Sequence, residues 1–157
     1  MSLAPDTRAD ILAAATDHGG PKGAMLEALR LIQHAAGWVS DADLGEAANL
    51  LGVTPAEMDS LATFYSHIFR KPVGERLILL CDGLSCALNG ADAVRDAVMA
   101  RLAVGWGETT ADGRHTLINV CCVGACDRAP AALVGRDREL AGPLRADDLG
   151  ALLGERP

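Results

Sequence analysis

Apolar positions recur at helical spacing through roughly the first seventy residues and change period after Pro72. Pro5 is placed to open a first helix that ends at Gly19-Gly20. Pro21 then takes the first position of a second, where its missing N–H costs nothing. Met25, Leu29, Ile32 and Ala36 predict an apolar stripe on that second helix, and Gly37 stops it. Ser40 is placed to cap a third helix running to Leu51-Gly52. Thr54-Pro55-Ala56-Glu57 has the form of a capping box, in which hydroxyl and carboxylate each satisfy a backbone N–H. Met58, Leu61, Ala62 and Tyr65 then share one face. Residues 1–72 are therefore expected to form a small helical bundle.

Lys71-Pro72-Val73-Gly74 breaks this pattern. Arg76 to Leu80 is a short continuous apolar run, as expected of a strand buried on both faces. Helical spacing returns from Gly90 to Leu102 through Ala91, Val94, Val98 and Leu102. After a turn at Ala111-Asp112-Gly113, Thr116 to Cys121 predicts a second strand and Ala131 to Val134 a third. A fourth is expected near Glu139-Leu140, beyond a turn at Gly135-Arg136-Asp137, and a last helix over Asp147 to Leu153. This order predicts a second, α/β domain over residues 73–157, a sheet with helices on its faces.

Half of the 157 residues are apolar, enough for a packed core, yet no apolar run approaches the ~18 residues of a membrane span. The opening Met-Ser-Leu-Ala-Pro-Asp has neither the basic region nor the apolar core of a secretory leader, so a cytoplasmic location and no direct membrane insertion are expected. Five basic residues face nine acidic ones in residues 1–73, and nine face twelve in residues 74–157, for a total charge of −7. Without a basic stripe to displace counterions, nucleic acid is not an expected partner. An acidic surface can also dock a basic protein.

Five cysteines change the picture most. All lie between Cys81 and Cys126, in two groups at predicted strand ends: Cys81 and Cys86, then Cys121, Cys122 and Cys126. In a reducing compartment such clustering points first to metal ligation. If the two strands are neighbours, four thiolates reach one edge of the sheet, and a [2Fe–2S] cluster takes two thiolates per iron. Gly83, Gly90 and Gly124 would let backbone N–H groups approach the sulfurs. A structural zinc site, with usually tighter ligand spacing, is the competing reading, and a non-redox zinc-stapled interaction module its functional form. A thioredoxin-type redox pair needs Cys-x-x-Cys, which the chain lacks. One cysteine is spare: Cys121 would repeat the four-residue gap of the first group, but adjacent residues on a strand point oppositely and geometry does not choose between Cys121 and Cys122.

At these residues the chain resembles a known family. Ala62-Thr63-Phe64-Tyr65-Ser66, Pro72-Val73-Gly74, Thr109-Thr110-Ala111-Asp112-Gly113-Arg114, Cys81-x4-Cys86 and Cys122-x-Gly-x-Cys126-Asp-x-x-Pro130 are together similar to the thioredoxin-like ferredoxin (E) subunits of bacterial NADH-quinone oxidoreductases (complex I). The resemblance covers about residues 20 to 155. It implies a thioredoxin-like domain, a mixed sheet with flanking helices, behind a helical bundle. Its second pair is Cys-x-x-x-Cys, which implies Cys81, Cys86, Cys122 and Cys126 as ligands of one [2Fe–2S] cluster and leaves Cys121 out. It further implies an electron-transfer subunit of an NADH dehydrogenase, beside a subunit that holds FMN and NADH and further iron–sulfur subunits, peripheral to the inner membrane. Related subunits occur in NAD-dependent formate dehydrogenases, as the gamma subunit, and in the diaphorase part of NAD-linked hydrogenases.

Other motifs add little chemistry. His18, His34, His67 and His115 stand at no ligand spacing from a cysteine, and structural roles are expected for them. Gly105-Trp106-Gly107 neither follows a predicted strand nor opens a helix, so no nucleotide site is expected in this chain. Asp147-Asp148 is expected to start the last helix rather than form an acid/base pair. Trp38, Phe64, Tyr65 and Phe69 are assigned to bundle packing, with a partner interface as the alternative.

Overall fold

A computed structural model describes residues 3–154. The chain divides into two compact units, Met1–Pro72 and Val73–Pro157. The first contains α1 (Pro5–Asp17), α2 (Pro21–Ala36), α3 (Asp41–Leu51) and α4 (Pro55–Phe64). Local chemistry sets their ends. Proline sits at the start of α1, α2 and α4, and the Ser40 hydroxyl accepts from the Asp43 N–H at 3.1 Å. The capping box is complete: the Glu57 N–H donates to Thr54 Oγ1 at 3.2 Å, and the Thr54 N–H donates to Glu57 Oε2 at 2.9 Å. Lys22 Nζ adds a contact at 3.0 Å to Glu57 Oε1. These bonds hold the Glu57 carboxyl at about 2, below its ordinary 4.5, with the Thr54 N–H as the largest cause.

Ile11, Leu29, Ile32, Leu44 and Met58 form the centre of the bundle. The buried face of α2 is Ala24, Ala28, Leu29 and Ile32, while Met25 is only half-buried and Ala36 is exposed. The expected stripe is therefore rotated: small alanines meet the neighbouring helices and the larger Met25 lies at the margin. Tyr65 is the residue after α4 and is exposed rather than part of its buried face. Gln33 ties down the segment that follows: its Nε2 donates to the His67 carbonyl at 2.9 Å, and its Oε1 accepts from the Phe69 N–H at 2.6 Å.

The second unit runs β1 (Arg76–Cys81), α5 (Leu84–Leu88), α6 (Ala91–Leu102), β2 (His115–Val120), a 3₁₀ turn (Cys126–Arg128), β3 (Ala132–Val134), β4 (Glu139–Ala141) and α7 (Gly150–Leu153). The sheet order is β2-β1-β3-β4. β1 pairs with β2 in parallel, from Arg76 opposite His115 to Cys81 opposite Val120, and with β3 antiparallel. A parallel pair needs a crossover, which α5 and α6 supply. The sheet is thus mixed, as expected, with β1 at its centre and Ile78, Leu80, Leu117 and Val134 packed with Val94 and Val98 of α6.

Gly74 is required by close approach: a Cβ there would lie 2.7 Å from the Arg114 carbonyl oxygen, and its N–H donates to Thr116 Oγ1 at 2.7 Å. Gly90, expected to support a sulfur, instead precedes α6 and donates to the Ala87 carbonyl at 3.2 Å. The last helix starts later than expected, at Gly150 rather than Asp147. Asp147 is engaged by Arg145, at 3.0 Å to each carboxylate oxygen, and this pair holds a turn where a helix start was expected. Arg76 Nε donates to the Leu152 carbonyl at 2.9 Å, and His115 Nε2 lies 3.1 Å from the Leu153 carbonyl. These contacts anchor α7 at the beginnings of β1 and β2. No helix among the described residues is long and apolar enough to cross a membrane.

Ile78 is fully buried in the strand between β2 and β3. Ile78→Ala is expected to lower unfolding stability by about 2–5 kcal/mol in denaturant titration, through lost burial and a residual cavity. Because the Glu57 carboxyl is depressed in the folded state, its contribution is complete above pH 4.5 and fades as pH falls toward 2. Glu57→Gln is accordingly expected to lower thermal stability near neutrality, with the difference from the parent shrinking across that window.

Candidate metal centre

Parallel pairing determines where the cysteines go. Side by side in the same direction, β1 and β2 end at one edge of the sheet. Cys81 is the last residue of β1, and Cys121 and Cys122 follow Val120 at the end of β2. The ladder continues past the strand ends: the Cys81 N–H donates to the Ala131 carbonyl at 3.0 Å, and the Asp82 N–H donates to the Val120 carbonyl at 3.0 Å. Asn119 Nδ2 lies 3.3 Å from Asp82 Oδ2, a further link across the same edge.

Cys81 and Cys86 are buried, with Ala91, Ala125 and Ala131 around them. Cys86 reaches this pocket from α5, a five-residue helix that the hydrophobic pattern did not reveal. Burial pushes the Cys86 thiol up, and a hydrogen bond with the Cys81 side chain adds to the rise. The Ala131 backbone N–H opposes it by stabilising the thiolate, while the charges of Cys81 and Cys126 act upward again. Ala131 therefore braces both cysteines of the first pair, through its carbonyl and its N–H. A backbone role of this kind leaves no signal in the sequence.

The second pair closes within one loop. Cys122 Sγ lies 3.6 Å from Cys126 Sγ, and the Gly124 N–H points at Cys122 Sγ from 3.4 Å. Gly124 has φ of +82°, a conformation that L side chains rarely adopt, and this turn brings Cys126 back beside Cys122. Cys121 and Cys122 are both exposed, as is Cys126, so pointing oppositely at the end of β2 buries neither of the adjacent pair.

Gly83 lies where the two pairs meet. A Cβ on it would stand 3.4 Å from Cys81 Sγ and 3.3 Å from Cys122 Cβ, so the space between the pairs is kept clear by a missing side chain. No three or more His, Cys, Asp or Glu among the described residues are grouped to hold a single metal ion. The thiols instead come as two neighbouring pairs, the donor set that a two-iron cluster takes, one pair for each iron. Four thiols in two pairs, with the space at Gly83 kept clear, fit such a group.

The histidines stand elsewhere: His18 ends α1, His34 lies in the last turn of α2, and His115 serves the α7 anchor. Gly105-Trp106-Gly107 forms the connection between α6 and β2, where the Gly107 N–H donates to the Leu117 carbonyl at 2.7 Å.

Residues 11–156 match the family model described as thioredoxin-like [2Fe-2S] ferredoxin. The E subunit of the NADH-quinone oxidoreductase of Pseudomonas aeruginosa (strain PAO1) is 41% identical over 133 residues, which are 85% of this chain and 79% of that protein. The subunit of the same name in Escherichia coli (strain K12) is 40% identical over 117 residues, 74% of this chain and 70% of its own length. Among solved structures, an air-oxidized NAD+-reducing [NiFe]-hydrogenase superposes with a TM-score of 0.69 at 28% identity. That superposition covers 83% of this chain and only 22% of the hydrogenase chain. With a mixed sheet, two cysteine pairs at its edge and a family model spanning nearly its whole length, the chain belongs to the thioredoxin-like [2Fe–2S] ferredoxin family.

Proposed function

We propose that the chain is the [2Fe–2S] electron-transfer subunit of an NADH-oxidising complex of the NADH-quinone oxidoreductase type. Cys81, Cys86, Cys122 and Cys126 would hold the cluster, and a partner subunit would carry the flavin mononucleotide and the NADH site. The observation that carries this reading is the meeting of two thiol pairs at one edge of a parallel strand pair, with Gly83 between them. When bound, a [2Fe–2S] cluster supplies a centre that takes up and gives back one electron at a time.

The chain's own groups set the conditions for that chemistry. The Gly124 N–H toward Cys122 Sγ and the Ala131 N–H toward Cys86 stabilise negative charge on sulfur. Burial of Cys81 and Cys86 gives one side of the site a dry surrounding, while the Cys122–Cys126 side is open. Differences of this kind tune a cluster's potential. Nucleotide chemistry is assigned to the partner, because Gly105-Trp106-Gly107 lies between a helix and a strand rather than between a strand and a helix.

A second reading places the same carrier in an NAD+-reducing hydrogenase, and the structural likeness to that enzyme favours it. Identity of 41% to the quinone-reductase relative against 28% to the hydrogenase supports the first reading.

Cys122→Ser is expected to abolish the visible absorption of the cluster, whereas Cys121→Ser should retain most of it; the opposite result would reassign the ligand. The purified chain alone should show no NADH oxidation with ferricyanide above background. Turnover by the pure chain would reveal a nucleotide site within it.

A further inference from the structure

Three of the five cysteines lie open to solvent, and two of those three touch. Cys122 Sγ and Cys126 Sγ stand 3.6 Å apart, at the two ends of the short loop that Gly124 bends at φ +82°. Cys81 and Cys86 also meet, through a side-chain hydrogen bond, but each is only 2% exposed. The two pairs therefore differ in access rather than in proximity.

Proximity serves ligation, because thiolates that share an iron must stand close together. In a chain that holds no iron the same closeness suits a second reaction. A thiolate attacks a small disulfide such as oxidised glutathione, giving a mixed disulfide and one free thiol. A neighbouring thiolate then displaces the other half of the reagent. Both steps need a sulfur that the reagent can reach. Cys122 and Cys126 combine that access with a thiol in contact, whereas Cys81 and Cys86 lack the access. Cys121 is exposed but adjoins Cys122 in the chain. Adjacent Cα atoms across a trans peptide are ~3.8 Å apart, below the ~4.4 Å at which ordinary disulfides begin.

We propose that Cys122 and Cys126 are a modification site of the cluster-free chain, oxidised by low-molecular-weight disulfides to a reversible bond that closes their loop. Two S–H bonds break and one S–S bond forms. The reagent's own S–S bond breaks, and its two sulfurs leave as thiols with both protons and both electrons. The consequence rests on the cluster reading above: the bond takes two of the four proposed ligands out of use until a dithiol reduces it. The open side of the site thus admits oxidant as well as iron, and the order in which they arrive decides whether the chain can be loaded.

The test uses the full chain, stripped of metal with a chelator, reduced, and then exposed anaerobically to oxidised glutathione. Cys121→Ser removes the third exposed thiol and leaves four. After treatment, alkylation of the unfolded variant is expected to find two free thiols, at Cys81 and Cys86. Mass spectrometry should place a Cys122–Cys126 bond in both this variant and the parent, and dithiothreitol should restore every thiol. Cys126→Ser lacks the second thiol, so glutathione should remain on Cys122. The cluster-loaded parent, given the same exposure, should form no such bond.

Glutathione retained separately on Cys122 and Cys126 of the parent would overturn the proposal. A Cys81–Cys86 bond in place of the expected one would do the same, as would a full count of free thiols after treatment. A loaded chain that forms the Cys122–Cys126 bond as readily as the stripped one would instead defeat the ligand assignment, and with it the cluster reading.

Discussion

The parallel register of β1 and β2 is the constraint on which the site depends. Hydrogen bonding from Arg76 opposite His115 to Cys81 opposite Val120 makes both strands end together, so residues far apart in the chain leave the sheet side by side. An antiparallel pairing would send the two cysteine groups to opposite edges. A slip by one residue would turn Ile78 and Leu80 away from the face packed with α6 and force Leu77 and Leu79 to repack there. Stability and site geometry are thus the same interaction seen at two ends of a strand.

Around that edge the chain divides the work between burial and exposure. Cys81 and Cys86 are enclosed by alanines, and Ala131 binds the backbone of one and the sulfur of the other. Cys122 and Cys126 sit in an open loop whose shape comes from a left-handed glycine. A site with one enclosed side and one open side suits the proposed carrier role: the enclosed half resists water, and the open half stays accessible.

Most helix starts were legible because capping is local. Pro5 and Pro21 suit the first turn by their own fixed backbone and missing N–H, and Ser40 and the Thr54–Glu57 box lie within a few residues of the N–H groups they satisfy. The hydrophobic run of β1 was equally plain. α5 was not, because five residues do not complete two turns and its two leucines face solvent, against the usual stripe. The start of α7 differs because residues 145–148 form a turn, in which Arg145 bridges to Asp148 through the backbone and to Asp147 through its side chain. Nor does spacing alone order the strands β2-β1-β3-β4, which is a matter of long-range pairing. The cysteine clustering was visible as a count. Which of two adjacent cysteines lies beside Cys126 depends on a loop conformation, which periodicity does not contain.

Two thiol pairs that grip one two-iron centre leave a stoichiometric signature. Quantification of iron and acid-labile sulfide in the anaerobically purified chain reads it. About two of each per chain are expected, with no zinc. A colourless protein holding zinc and no labile sulfide would contradict this ligation.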